Sequence, residues 1–196
     1  QEFSRRFARD GFPVTVLTTD ALDLEAFWLL GRKRVHRNRE TIDGVQVERF
    51  KTRVFPQQGR LWKLLVLWPG DGAKLRYHFP SPIVPGLWKR LRALDGQFDL
   101  VHAGSLPYNS ILYAAERYAK RNRVPLIFSP FMHPGEEGES DLIRWYARGD
   151  QLRLLARADR LIVQSPSEAR FFEQRGIPAD RMTILGAGIE PSEFDS

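Results

Sequence analysis

The sequence has no cysteine at all, which removes disulfides, thiol catalysis and cysteine-ligated metal from consideration and is compatible with a reducing compartment. Long apolar runs are missing too. The longest candidate, LWKLLVLW, carries Lys63 in its middle and falls well short of the ~18 residues a membrane span requires. No signal-peptide pattern opens the chain, which begins instead in a helix-like stretch, QEFSRRFARDG, with Phe3 and Phe7 on one face and Gly11 as its stop. That opening is expected to lie inside a longer protein. Several catalytic signatures are also lacking. No G-x-G-x-x-G opens a helix, no G-x-x-x-x-G-K-[ST] offers a triphosphate loop, and A-G-S-L-P is not the G-x-S-x-G of a serine hydrolase.

What is present is a soluble-type composition, 42% hydrophobic over 196 residues, enough for one sizeable core. Thirty basic and twenty-four acidic residues give a net charge of +6. The window GRKRVHRNR, 31–39, holds five of the cations and no acid, so removing it leaves 6 − 5 = +1. The excess is a local patch of Arg32, Lys33, Arg34, Arg37 and Arg39. Such a patch is either a solvated loop or an attractor of phosphate on lipid, nucleic acid or substrate.

Apolar runs and turn residues divide the chain into elements. PVTVLTT and VQVERF, the latter after Asp43-Gly44, read as strands, with the basic stretch between them and Trp28, Leu29 and Leu30 anchoring it. A helix is expected over 60–68, a Pro/Gly-rich loop over 69–86 and an amphipathic helix at PGLWKRLRAL. Strands FDLVHA, PLIFSPF, RLIVQS and RMTILGAGI then alternate with helices at PYNSILYAAERYAKRN, Asp141 to Arg157 and PSEARFFEQRG. Regular alternation predicts an α/β, doubly wound, mostly parallel sheet covered by helices. Ligands in such sheets sit outside the carboxyl ends of the strands. The candidate rim is therefore Thr18 and Thr19, Gly104 and Ser105, Pro130 to Gly135, Ser165, and Gly186 to Gly188.

On that rim His133 stands out, because flanking prolines and Gly135 hold it in one direction, whether it offers its imidazole or its carbonyl. His102 reads as a packed strand residue with one hydrogen bond. Ser105 either caps the next helix or borders an anion site at its N-terminus. Ser165-Pro166-Ser167-Glu168 is a capping box with proline at the first helical position, and Asp159 is a turn residue. Glu136, Glu137 and Glu139 beside His133 lack a metal-binding spacing, so no metal is expected.

Taken in order, RRFARDGFPVTVLTT, DGVQVERF, FDLVHAGS, RVPLIFSPFMHPG, RADRLIVQSPSEARFFEQRGIP and MTILGAGIEPSEF resemble the N-terminal half of a family-four retaining glycosyltransferase of GT-B architecture. The resemblance covers essentially the whole chain. It implies a Rossmann-like, acceptor-side domain over 1–185, with 186–196 leading into a nucleotide-sugar-binding domain, and a first strand and glycine-rich turn upstream of Gln1. It implies His133 as the reaction-centre residue, Gly104, Ser105, Pro134 and Gly135 on the acceptor and sugar side, and Gly186 and Gly188 close to the donor. The family often has histidine where this chain has Gly104, and aspartate where it has Glu190.

The activity implied is transfer of a sugar from a nucleotide-sugar donor to an acceptor hydroxyl with retention, with no cofactor, and none from this half alone. The implied partners are a nucleotide sugar and a sugar or lipid-linked acceptor, without nucleic acid. The location implied is the cytoplasm, at the inner face of an anionic membrane touched by the basic patch. Two alternatives share some of these features: a phosphate- or membrane-binding module without activity, and a non-transferase GT-B relative such as a sugar-nucleotide epimerase.

Overall fold

A computed structural model describes residues 2–27, 31–54, 82–132 and 149–186. The chain forms two compact units, Gln1–Asp95 and Gly96–Ser196.

The first unit opens with α1 (Glu2–Arg9), which stops as Gly11 adopts a φ of +88°. Strand β1 (Thr15–Thr19) pairs in parallel with β3 (Val45–Phe50), from Thr15↔Gln46 to Thr19↔Phe50. Between them in sequence lies a strand absent from the sequence reading, β2 (Arg39–Ile42), antiparallel to β3, so the order is β1-β3-β2. Its hairpin closes on Asp43 and Gly44, both at positive φ (49° and 81°), the two-residue turn that suits the twist of antiparallel strands. Helix α2 (Pro85–Ala93) begins with proline in its first turn, as PGLWKRLRAL predicts, and buries Leu87. Among the described residues, Ala26, Phe27, Val45, Val47, Val84, Leu87 and Leu94 are this unit's buried apolar side chains. The helix expected over 60–68 and most of the loop expected over 69–86 lie outside the described residues, as do Trp28, Leu29 and Leu30.

The second unit carries a parallel sheet in the order β4-β5-β6-β7, formed by Val101–Gly104, Leu126–Ser129, Arg160–Val163 and Met182–Ile184. Helix α3 (Asn109–Asn122) joins β4 to β5, α4 (Gly149–Leu155) precedes β6, and α5 (Pro166–Glu173) joins β6 to β7. Leu112, Ala115 and Ala119 form a stripe along α3 and pack with Phe128, Leu161, Val163 and Phe172 into one cluster. Helix α3 ends at Arg123, whose left-handed conformation (φ 57°, ψ 41°) lets its N–H close on the Ala119 carbonyl. Asp159 bridges neighbouring strands: its Oδ2 accepts from Leu126 N at 2.7 Å and its own N–H donates to Leu126 O at 2.9 Å. The α/β class with a parallel sheet flanked by helices is the one the alternating pattern predicts.

Candidate functional site: the carboxyl edge of the second sheet

Because β4 to β7 all run the same way, the segments that follow them emerge at one edge of the sheet. These are Gly104 and Ser105, then Pro130 to Met132, then Gln164 and Ser165, then Leu185 and Gly186. The edge thus gathers Gly104, Ser105 and Gly186 from the sequence-derived candidates. His133, Pro134, Gly135 and Gly188 lie outside the described residues, as does Glu190.

Strand alternation sends Val101 and Ala103 toward the apolar cluster and His102 and Gly104 to the opposite face. There, His102 Nε2 and Ser129 Oγ share a hydrogen bond of 2.8 Å across β4 and β5. Ser129 is buried. His102 keeps an exposed edge, yet burial of its ring among surrounding protein lowers its pKa below the ordinary 6.5, favouring the neutral imidazole.

Two strand ends are locked together at the rim. Leu106 N donates to Pro130 O at 2.9 Å. A β-carbon placed on Gly104 would stand 2.8 Å from Ser129 O and 3.0 Å from the Phe131 ring, so any side chain there would displace one of them. Phe131 itself has a φ of 52° and remains 44% exposed. Immediately after it, Met132 N donates to Glu168 Oε1 at 2.8 Å, while Gln164 N donates to Oε2 at 2.7 Å. Glu168 is wholly buried, and these two charge-assisted bonds offset the cost of removing its carboxylate from water.

The capping box is real but reaches further than its motif implies. Ser165 Oγ accepts from Glu168 N at 3.2 Å, as expected, whereas the glutamate clips the β6 exit to the β5 exit. Sequence spacing carries no signal for Met132 as its partner. At α3, no side chain caps the first turn; Tyr108 N donates to Ser105 O at 3.1 Å, so Ser105 enters the helix through its carbonyl.

In the first unit, the basic window meets carboxylates from elsewhere in the chain. Arg32 pairs with Glu25, and Arg37 and Arg39 approach Glu40 and Glu48 at 3.9 and 3.5 Å. Arg34 enters a buried cluster: its NH1 group donates to Asp20 Oδ1 at 2.6 Å and to Thr52 Oγ1, and NH2 donates to Ala26 O at 3.2 Å. Thr52 N and Oγ1 also donate to Asp20 Oδ1, at 2.9 and 3.1 Å. Glu48 receives a two-pronged contact from Arg90 (2.8 and 2.7 Å). The Arg90 hydrogen bonds hold the Glu48 carboxyl below its ordinary pKa of 4.5 against the opposing effect of burial. Arg37 and Arg39 stay 82% and 69% exposed, and Lys33 is exposed, so the outward charge of the window rests mainly on these three. Counting charges within 31–39 misses the pairing because Asp20, Glu25, Glu40 and Glu48 all lie outside it.

Among the described residues no group of three or more acidic or histidine side chains is placed to hold a metal ion. No described helix is long and apolar enough to cross a membrane.

Compared with known protein families, residues 1–188 match the glycosyl transferase 4-like domain. The chain belongs to that family. No curated protein matches it. Solved structures similar to this glycosyl transferase 4-like domain include Anabaena HepE in complex with UDP and glucose, at 18% identity and a TM-score of 0.45, covering 76% of this chain and 33% of that one. The HepE complexes with UDP (16%, TM-score 0.46) and with UDP-glucose (15%, TM-score 0.46) cover 92% and 91% of this chain and 45% of theirs. The domain therefore spans a third to somewhat under half the length of these structures.

Proposed function

We propose that this domain forms the acceptor-side wall of a glycosyltransferase that moves a sugar from a nucleotide-sugar donor to an acceptor hydroxyl with retention of configuration. The observation that carries the reading is the family match over residues 1–188. The carboxyl edge of the second sheet supports it, since this is where an open parallel sheet receives ligand.

On this reading the bond between the anomeric carbon and the donor phosphate breaks, the acceptor hydroxyl gives its proton to the departing phosphate as its oxygen attaches on the same face, and the nucleotide leaves as the diphosphate. Positioning and electrostatic stabilisation of the departing phosphate carry the rate. His133 is assigned to the reaction centre, Gly104, Ser105, Pro134 and Gly135 to the acceptor and sugar, and Gly186 and Gly188 to the donor side. Neither a metal nor an organic cofactor is required. The neighbouring domain supplies most of the nucleotide site, so the 196-residue chain by itself does not turn over. Glu168 fixes the end of the β5 exit at Met132, the residue before His133 in the sequence.

The basic window is assigned to an anionic membrane surface at the cytoplasmic face, narrowed to Lys33, Arg37 and Arg39 because Arg34 is committed to Asp20 and Thr52 and Arg32, less exposed than Arg37 and Arg39, pairs with Glu25. In the complete gene product, His133→Ala is expected to lower kcat by about a hundredfold or more while the melting temperature stays unchanged. A variant with unaltered kcat would remove His133 from the reaction centre.

A further inference from the structure

An exposed phenylalanine ordinarily has freedom to move; Phe131 is held on both sides. Ahead of it, Pro130 O accepts from Leu106 N at 2.9 Å, and behind it, Met132 N donates to the buried Glu168 carboxylate at 2.8 Å. Between these ties the residue takes a φ of 52°, a conformation that a bulky side chain avoids and that persists only where its surroundings enforce it. Its ring edge then lies over Gly104, at the place a side chain on that residue would need. Despite this restraint, the ring stays 44% exposed at the carboxyl edge of the sheet, alongside the polar His102–Ser129 pair.

We propose that Phe131 is a platform on which the pyranose ring of a sugar substrate stacks, an assignment that rests on the sugar-transfer reading above. Pyranoses carry an apolar face of C–H groups and a periphery of hydroxyls, and a fixed aromatic face beside hydrogen-bonding groups complements both features. Restraint of the backbone before binding reduces the freedom lost on stacking. Gly104 makes the arrangement possible because a side chain there would meet the edge of the Phe131 ring at 3.0 Å. Phe131 is thus a positioning residue for the sugar, separate from the chemistry assigned to His133.

The test is NMR on the complete gene product carrying 13C-labelled phenylalanine, titrated with methyl α-glucoside, methyl α-mannoside and methyl α-galactoside. The Phe131 ring resonances are expected to shift on addition of at least one glycoside. Phe131→Leu should weaken that binding about tenfold, the scale of one aromatic contact, and Phe131→Trp should keep it. Absence of any shift at Phe131, or a leucine variant that binds as well as the parent, overturns the platform. Failure of the transferase reading looks different: the complete gene product would consume no nucleotide sugar while glycosides still shifted Phe131, and the platform would stand. Conversely, transfer by Phe131→Leu with unchanged KM for both donor and acceptor would overturn the platform and leave the transferase reading intact.

Discussion

Asp20 and Glu48, buried carboxylates held by arginines in the unit ending at Asp95, contrast with Phe128, Leu161, Val163 and Phe172, which belong to the apolar cluster of the unit beginning at Gly96. Among the described residues of the first, buried apolar side chains such as Phe27, Val45 and Leu87 are accompanied by ion pairs joining residues 14 to 42 positions apart. In the second, apolar side chains from strands and helices close a single cluster, and buried polar groups such as Glu168 serve the rim. The two kinds of interior respond differently to truncation, to charge removal and to acid.

The largest effect is expected in the apolar cluster. Phe172→Ala removes a fully buried ring and should destabilise the second unit by about 3 to 5 kcal/mol, read by residue-resolved thermal melting. A loss below about 1 kcal/mol would show that the cluster does not dominate that unit.

Next comes the charge cluster of the first unit. Asp20 and Arg34 side chains are 8% and 22% exposed, and Arg34→Gln leaves the Asp20 charge without its cation, at a cost of about 2 to 4 kcal/mol. Lys33→Gln should leave stability within about 0.5 kcal/mol of the parent and weaken binding to anionic vesicles modestly. If the two substitutions were equivalent in melting, the difference drawn between half-buried, ion-paired Arg34 and exposed Lys33 would collapse.

These contrasts explain what the sequence disclosed. The second unit was legible almost element by element, because continuous apolar runs such as Leu161-Ile162-Val163, typical of a buried parallel strand, and the helical stripe of α3 report burial directly. The turn signals Asp43-Gly44 and Pro166 were equally plain. Strand β2 was missed because RETI is short, at the sheet edge and largely exposed, so no apolar alternation marks it. The pairing of Arg34 with Asp20 and Thr52 was invisible for another reason: it depends on which residues from distant segments meet, and composition within a window holds no such information. At the rim, Gly104, Ser105 and Gly186 could be placed from strand order alone. Phe131 and the reach of Glu168 to Met132 were hidden, one in a backbone conformation and the other in a contact between two loops.

The smallest effect is in acid, and its onset should separate the units. His102 has a native pKa below the ordinary 6.5, so its contribution is complete above pH 6.5 and is lost as pH falls through the lower native value. Glu48 is held below 4.5, so its contribution persists above pH 4.5 and disappears only as pH falls through its depressed native value. Acidification should therefore soften the second unit first. His102→Gln should flatten the slope below pH 6.5 there, and Glu48→Gln the slope below pH 4.5 in the first unit. Melting curves with the reverse order would contradict both assignments.

The proposed reaction is tested most directly by following anomeric proton signals while the complete gene product acts on α-linked nucleotide sugars in the presence of glycoside acceptors. The account predicts loss of the donor signal, release of the nucleoside diphosphate and a new glycosidic signal with the α configuration. A β-linked product would contradict retention, and a product that is still a nucleotide sugar, altered only in its sugar stereochemistry, would contradict transfer itself.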